Sequence, residues 1–298
     1  MERPPALPGL VKLIERLPPF HKVMERCMAT MSKPYASARE IGGWIESDSA
    51  LSGKVLSLAN SSFYGQPNKV LQAERAVVLL GRRALEEVFF SFYIQGLFSS
   101  PDGSDQAELW VSSLSSGICA KELVGALGLP SSDGSETPDA GAYLAGLLHD
   151  SGKLLVLTHY PEYFHAAIRL EKEESLPECE AERRLWGFDH AELGQAMAAK
   201  WDLPENVCVA IACHHDPVSA GPFALLAALI RLSDVLCEAA VAGRDLAEAV
   251  RTDLDLDSRE LLALEDARLP SLRRVVRTVR EKMRVYEGLA ESGTWQLG

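Results

Sequence analysis

The stretch Leu144–Leu154, LAGLLHDSGKL, sets His149, Asp150 and Lys153 inside an otherwise apolar helical run. Lys153 follows His149 by four residues and Asp150 by three, so all three can share one helical surface. Three environments accept such a group: a solvated face, a satisfied core histidine, or a metal or phosphate site. Downstream, GFDHAELGQAMAAKWDLPENVCVAIACHHDP supplies His190, His214 and His215, and IRLSDVLCEAA supplies Asp234 from an apolar helix. A buried aspartate needs a cation or hydrogen-bond donors. Mixed imidazole and carboxylate donors suit Zn, Mn, Fe or Ni. His149, Asp150, His190, His214, His215 and Asp234 are therefore the candidate ligands of a divalent metal. The competing reading is a polar network that pins helix ends. His214 and His215 at a helix C-terminus are favourable with the macrodipole even without a metal, and Asp234 can accept a hydrogen bond from one of them. His21, His159 and His165 fall outside this group and read as surface or capping histidines.

The elements that must position these residues are helical. Asp189 is a reasonable N-cap for a helix over 190–200, and Leu203-Pro204 restarts one over 205–214. Two helices of about 10 residues joined by a short turn lie antiparallel, each about 15 Å long. The start of the first and the end of the second then meet, which brings His190 near His214 and His215. Periodicity predicts further helices over 141–158, 161–173, 178–186 and 222–241.

Upstream, Phe20, Val23, Met24, Cys27, Met28 and Met31 keep helical spacing behind Pro18-Pro19. Ser37 and Glu40 suit a capping box, with Ile41, Trp44 and Ile45 behind it on one face. Ser47-Asp48 opens a helix carrying Leu51, Val55 and Leu58 that ends near Asn60-Ser61-Ser62. Ala73–Leu80 follows, with Gly81 placed as a C-terminal cap, and Leu85, Val88, Phe89 and Phe92 mark another amphipathic helix. No segment sustains period-2 alternation, so the expected class is all-α. Ser99–Asp105 reads as a linker and Pro130–Asp139 as a polar loop. Asp253–Asp257 lacks the Gly and terminal Glu of a calcium loop and reads as solvated helix-start chemistry. A last helix from near Pro270 carries Leu272, Val275, Val276, Val279, Met283 and Tyr286 on one stripe, with Arg273, Arg274, Arg277, Arg280, Lys282 and Arg284 mostly off it. It is either a docking helix with a solvated basic face or a surface for a partner or second copy.

Composition bounds the function. A chain of 298 residues with 47% hydrophobic and 24% charged residues is ordinary for a globular protein. No apolar run approaches the roughly 20 residues needed to span a bilayer, and the N-terminus lacks a secretory pattern, so a cytoplasmic location is expected. The six cysteines form no CxxC pair and read as reduced structural thiols. A net charge of −12 disfavours broad phosphate-backbone binding, which makes nucleic acid an unfavoured partner.

The order HD…H…HH…D resembles the HD superfamily of metal-dependent phosphohydrolases. With LPPF, IESDSALSGKVLSLANSSFYG and AVVLLGRRALEEV upstream, residues 14 to 215 resemble the HDOD (HD-related output domain) family more specifically. The resemblance implies a helical-bundle N-terminal subdomain packed on an HD-like helical subdomain. It also implies a bacterial signalling role alongside a protein partner. The expected division is 1–105 for the N-terminal subdomain, 106–251 for the HD-like one and 252–298 for a C-terminal extension, the last a route to a homo-oligomer. Carried over, the dyad falls on His149 and Asp150, its trailing lysine on Lys153, later histidines on His190, His214 and His215, and the final aspartate on Asp234. The first position departs from the pattern: an HD enzyme has a histidine on the earlier helix, where LWVSSLSSGI offers Ser112 or Ser113, poor replacements for imidazole. Two functions follow. One is an output module with a degenerate site that acts through protein–protein interaction. The other is an active phosphohydrolase on a nucleotide or cyclic dinucleotide, with the metal lowering the pKa of a water, Asp150 orienting it and Lys153 neutralising a phosphate oxygen.

Overall fold

Helix starts are written in short polar side chains. The Ser37 hydroxyl accepts from the Glu40 N–H at 3.1 Å and Asp48 Oδ1 from the Leu51 N–H at 3.0 Å. Asp189, Asp245 and Asp255 cap three later helices in the same way. Each satisfies a backbone donor that the first turn leaves without a partner. At Asp189 the arrangement is a full capping box: its side chain takes the Glu192 N–H while Glu192 Oε2 accepts from the Asp189 N–H. At Ser37 only the first half forms, since Glu40 pairs with Lys33 instead.

The computed structural model describes residues 9–17, 22–31, 33, 35–61, 64–98, 104–129 and 138–291. Phe20, His21, Ser62 and the segments 99–103 and 130–137 lie outside it, as does the side chain of Tyr286, so the expected linker and polar loop are described only at their helical ends. The helices in chain order are α1 (Leu10–Arg16), α2 (Lys22–Met31), α3 (Ala38–Glu46), α4 (Ser49–Ala59), α5 (Ala73–Phe98), α6 (Ser104–Leu127), α7 (Pro138–Leu148) and α8 (Ser151–His159). There follow α9 (Pro161–Glu174), α10 (Glu178–Trp186), α11 (His190–Lys200), α12 (Glu205–Ala212), α13 (Ala224–Val241), α14 (Leu246–Thr252), α15 (Leu256–Leu261) and α16 (Leu269–Glu291). Short 3-10 turns occupy Pro217–Phe223 and Asp266–Arg268. No strand occurs among the described residues, so the class is all-α.

The chain divides into two compact units. One draws on Met1–Leu17 and Phe98–Val276, the other on Pro18–Leu97 and Arg277–Gly298. In the second, Ile41, Ile45, Leu51, Val55, Leu58, Leu85, Val88 and Phe89 are buried. Gly42 lets α3 approach the start of α5, where a Cβ would come within 2.7 Å of the Glu74 nitrogen. The Asn60 side chain clamps Val70 from both sides, accepting its N–H at 2.7 Å and donating to its carbonyl at 2.8 Å. Gly81 interrupts α5 with φ 72° and ψ 166°, a conformation glycine reaches without steric cost.

In the first unit α13 is buried almost all round, from Leu226 to Ala239, as a helix at the centre of a core must be. It packs against α6, which lies on α7. Gly117 and Gly146 permit that close approach: a Cβ on Gly146 would meet the Ser116 carbonyl oxygen at 2.8 Å. Leu272, Val275 and Val276 of α16 are buried here, Val279 and Met283 are buried in the part of α16 that belongs to the other unit, and Arg273, Arg274 and Arg277 stay exposed. Asp253 pairs with Arg244, and Asp255 caps α15, which is helix-start chemistry and not a cation loop.

Candidate metal centre

The helix expected over 141–158 is two helices. α7 stops at Leu148 and α8 begins at Ser151, with His149 and Asp150 in the turn between them. Just past the turn, α8 packs closely on α11. Gly152 sits directly under His190, whose carbonyl a Cβ at residue 152 would strike. A continuous helix would turn the dyad along one face; the break points both side chains inward instead. Gly194 plays the same part between α11 and α12, where a Cβ would come within 2.9 Å of Ile211 Cγ2.

These close approaches bring all six sequence-derived ligands into one cluster in the unit that holds α6–α15. His149, His190 and His214 are fully buried, Asp150 and Asp234 are buried, and His215 is half-buried. The Nε2 of His190 lies 3.3 Å from the Nε2 of His214 and 3.0 Å from that of His215. Asp150 spans the cluster, with Oδ2 3.5 Å from His149 Nε2 and Oδ1 3.5 Å from His190 Nε2. Asp234 Oδ1 is 3.5 Å from His149 Nε2, while its other oxygen takes a hydrogen bond from Arg231 at 3.1 Å.

The opposite edges of the rings are already committed. His149 Nδ1 donates to the Gly146 carbonyl at 2.8 Å and His214 Nδ1 to the Ile211 carbonyl at 2.7 Å. A carbonyl can only accept, so Nδ1 carries a proton in both rings, and Nε2 presents a lone pair whenever the ring is neutral. His190 Nδ1 faces Glu182 Oε2 at 2.6 Å, and the same oxygen accepts the His190 backbone N–H at 2.9 Å. This is the arrangement in which a histidine ligates a metal with one nitrogen and is held by a carboxylate or carbonyl at the other.

The separations fit a metal. Bonds of 2.0–2.1 Å in a tetrahedron place ligand atoms about 3.3 Å apart. The observed 3.0–3.5 Å spacings fall around that value, and His149 Nε2 is buried without a hydrogen-bond partner. Ligating atoms of His149, Asp150 and His214 lie within 4.8 Å of one another. Burial together with neighbouring imidazoles holds His214 well below the usual range, and His215 down to about 2, so both stay neutral with lone pairs free. Burial also pulls on His149, but the Asp150 and Asp234 carboxylates outweigh it and raise it to about 9.

Lys153 does not face open solvent. Its ammonium lies 3.1 Å from Asp150 Oδ1 and 2.7 Å from Glu178 Oε1. Beside it opens a cavity of about 230 Å³ whose polar lining is Ser112, Asp150, Lys153, Glu171, Glu178, Glu182 and Glu238.

A model of the HDOD domain matches residues 17–217. This chain belongs to the HDOD family. It is 28% identical over 203 residues to an uncharacterized protein of Treponema pallidum, a match covering 68% of this chain. The chain spans only 38% of that relative's length. An HDOD domain protein of unknown function from Geobacter sulfurreducens has a similar structure, with TM-score 0.63 and 26% identity over 91% of this chain and 97% of that one. A candidate signal-transduction protein from Marinobacter aquaeolei gives TM-score 0.66 and 26% identity over 93% of this chain and 61% of its own.

In this HDOD protein the two serines expected at the first ligand position separate. Ser112 lines the cavity beside Asp150, whereas Ser113 is fully buried with its hydroxyl unpartnered. His165 pairs with Asp105 at the surface and His159 ends α8, both away from the cluster. Sequence reasoning missed Glu182, Glu178, Arg231 and Cys179. Nothing in ECEAERR distinguishes a buried glutamate from its solvated neighbours, since Glu182 matters only through the tertiary packing of α10 on α11.

Proposed function

We propose that this HDOD chain is a bacterial, cytoplasmic signalling module whose HD cluster holds a divalent metal, and that it acts through a protein partner without turning over a phosphoester. His149, Asp150, His190, His214, His215 and Asp234 would hold the ion, with Fe, Mn, Zn or Ni fitting the donor set. Bound there, a divalent ion would supply Lewis-acid stabilisation of negative charge on oxygen. The residues around it do other work: Glu182 orients His190, Arg231 orients Asp234, and Gly146 and Ile211 fix two tautomers.

The observation that carries the non-hydrolytic half is the cavity wall. A phosphoester reaching Asp150 would meet Glu171, Glu178, Glu182 and Glu238, and the cation on that wall, Lys153, is already shared between Asp150 and Glu178. Like charges in a partly desolvated space oppose an anionic ligand strongly. Ser112 stands on the same wall where an imidazole would add a ligand. The test is turnover by protein reconstituted with Mn, Fe or Zn, using an activated phosphodiester and cyclic dinucleotides. The expected rate is that of the buffer blank. Turnover that Asp150→Ala abolishes favours the second reading, a nucleotide phosphohydrolase, for which the Asp150–Lys153 pair beside the cluster is the supporting observation.

A further inference from the structure

The cluster contains a thiol that the HD ligand order does not include. Cys179 lies on the first turn of α10, between Glu178 and Glu182. Its sulfur and ring nitrogens of His190 and His215 lie within 4.8 Å of one another. This trio is distinct from the His149, Asp150 and His214 group, and the two adjoin through the 3.3 Å approach of His190 to His214.

We propose that Cys179, His190 and His215 form a second, thiolate-containing metal position, which divides the six HD residues so that His149, Asp150, His214 and Asp234 keep the first. The proposal rests on the metal reading of the cluster and adds a ligand to it. Three protein ligands of the Cys-His-His kind leave one coordination place open, as in zinc sites that exchange their fourth ligand. Zn–S bonds of about 2.3 Å and Zn–N bonds of about 2.0 Å require the three atoms to draw together by only a fraction of their present separation. The surrounding charge favours a cation: Glu178 and Glu182 flank the sulfur on its own helix, and Asp189 caps the next. Coordination replaces the S–H bond by a metal–sulfur bond and releases the proton to solvent. A soft sulfur donor selects Zn, Co or Fe over Mg and Mn, whereas the oxygen-bearing first position discriminates less. Cys179 is half-buried, so an ion and an alkylating reagent can both reach it.

Cobalt(II) titration of the metal-free protein reads this directly. The expected spectrum combines visible d–d bands with a near-ultraviolet thiolate-to-cobalt band. That band is lost in Cys179→Ser and kept in Cys213→Ser, which removes the other half-buried thiol. Visible bands without the thiolate band, or a thiolate band that survives Cys179→Ser, overturn the proposal while leaving the first position intact. No cobalt spectrum at all overturns the underlying metal reading with it. Should Cys179→Ser not fold, alkylation of the unaltered protein gives the answer by peptide mapping. Zinc must then protect Cys179 from iodoacetamide, and labelling at the metal-free rate contradicts the proposal.

Discussion

His190 and His214 face each other through their Nε2 atoms at 3.3 Å while each ring's Nδ1 is held from behind, by Glu182 and by the Ile211 carbonyl. Burial holds His214 neutral while the Glu182 carboxylate raises His190, so the two facing nitrogens need a proton or a metal ion between or beside them. Asp150 and Asp234 add negative charge at the same place. Such a preorganised set of donors meets the requirements of the metal centre proposed above.

Glu182 should tune affinity without touching the ion. Glu182→Gln keeps an acceptor for His190 but removes its charge, and the loss expected for such an outer partner is about 10–100-fold in metal affinity. Competition against a chromogenic chelator measures it. Unchanged affinity would mean that the 2.6 Å contact is only structural.

Gly152 tests the close packing of α8 on α11. In Gly152→Ala the new methyl group has no room under the His190 carbonyl, so α8 and α11 must part. Overpacking of this kind costs about 1–3 kcal/mol, read as a shift of the urea midpoint, and metal affinity should fall with it. A variant as stable and as tight-binding as the parent would show that the two helices have slack at this crossing.

Lys153 is a largely covered cation between the buried Asp150 and the partly exposed Glu178. Removing one partner of a buried ion pair typically costs about 3–5 kcal/mol, because the remaining charge is left uncompensated. Lys153→Met should therefore destabilise the metal-free protein strongly. Adding metal should recover part of the loss, since the ion takes over neutralisation of Asp150. Equal destabilisation with and without metal would separate Lys153 from the site.

Thiol chemistry sets an alkaline limit in the other unit. Burial pushes Cys27 from 9.0 to about 12. The fold therefore favours the neutral thiol: its contribution is fully present below pH 9.0 and is lost as pH rises to about 12, because the unfolded thiol ionises first. Urea midpoints should fall across that window, less steeply in Cys27→Ala, and native Cys27 should resist a thiol reagent at pH 8. Rapid labelling there would contradict the burial.

Much of this was legible in the residues. The helix pair that joins His190 to His214 and His215 and the all-α class follow from period and caps, because Asp189 and Pro204 mark helix starts chemically, and the six candidate residues do lie together. The break at His149-Asp150 was not, since LAGLLHDSGKL reads as one helix by its period. Glu182 and Cys179 were missed for a related reason. Glu180 and Arg183 beside them are exposed, and which face of α10 turns inward is decided by its packing on α9 and α11.

Whether the cluster is a metal centre is decided by elemental analysis of protein purified without an affinity tag, beside its His149→Ala variant. Stoichiometric metal in the parent and its loss in the variant are the expected result. Folded parent protein that carries no metal and takes up none of Fe, Mn, Zn or Ni would contradict the metal reading, leaving the facing histidines to be explained by a shared proton.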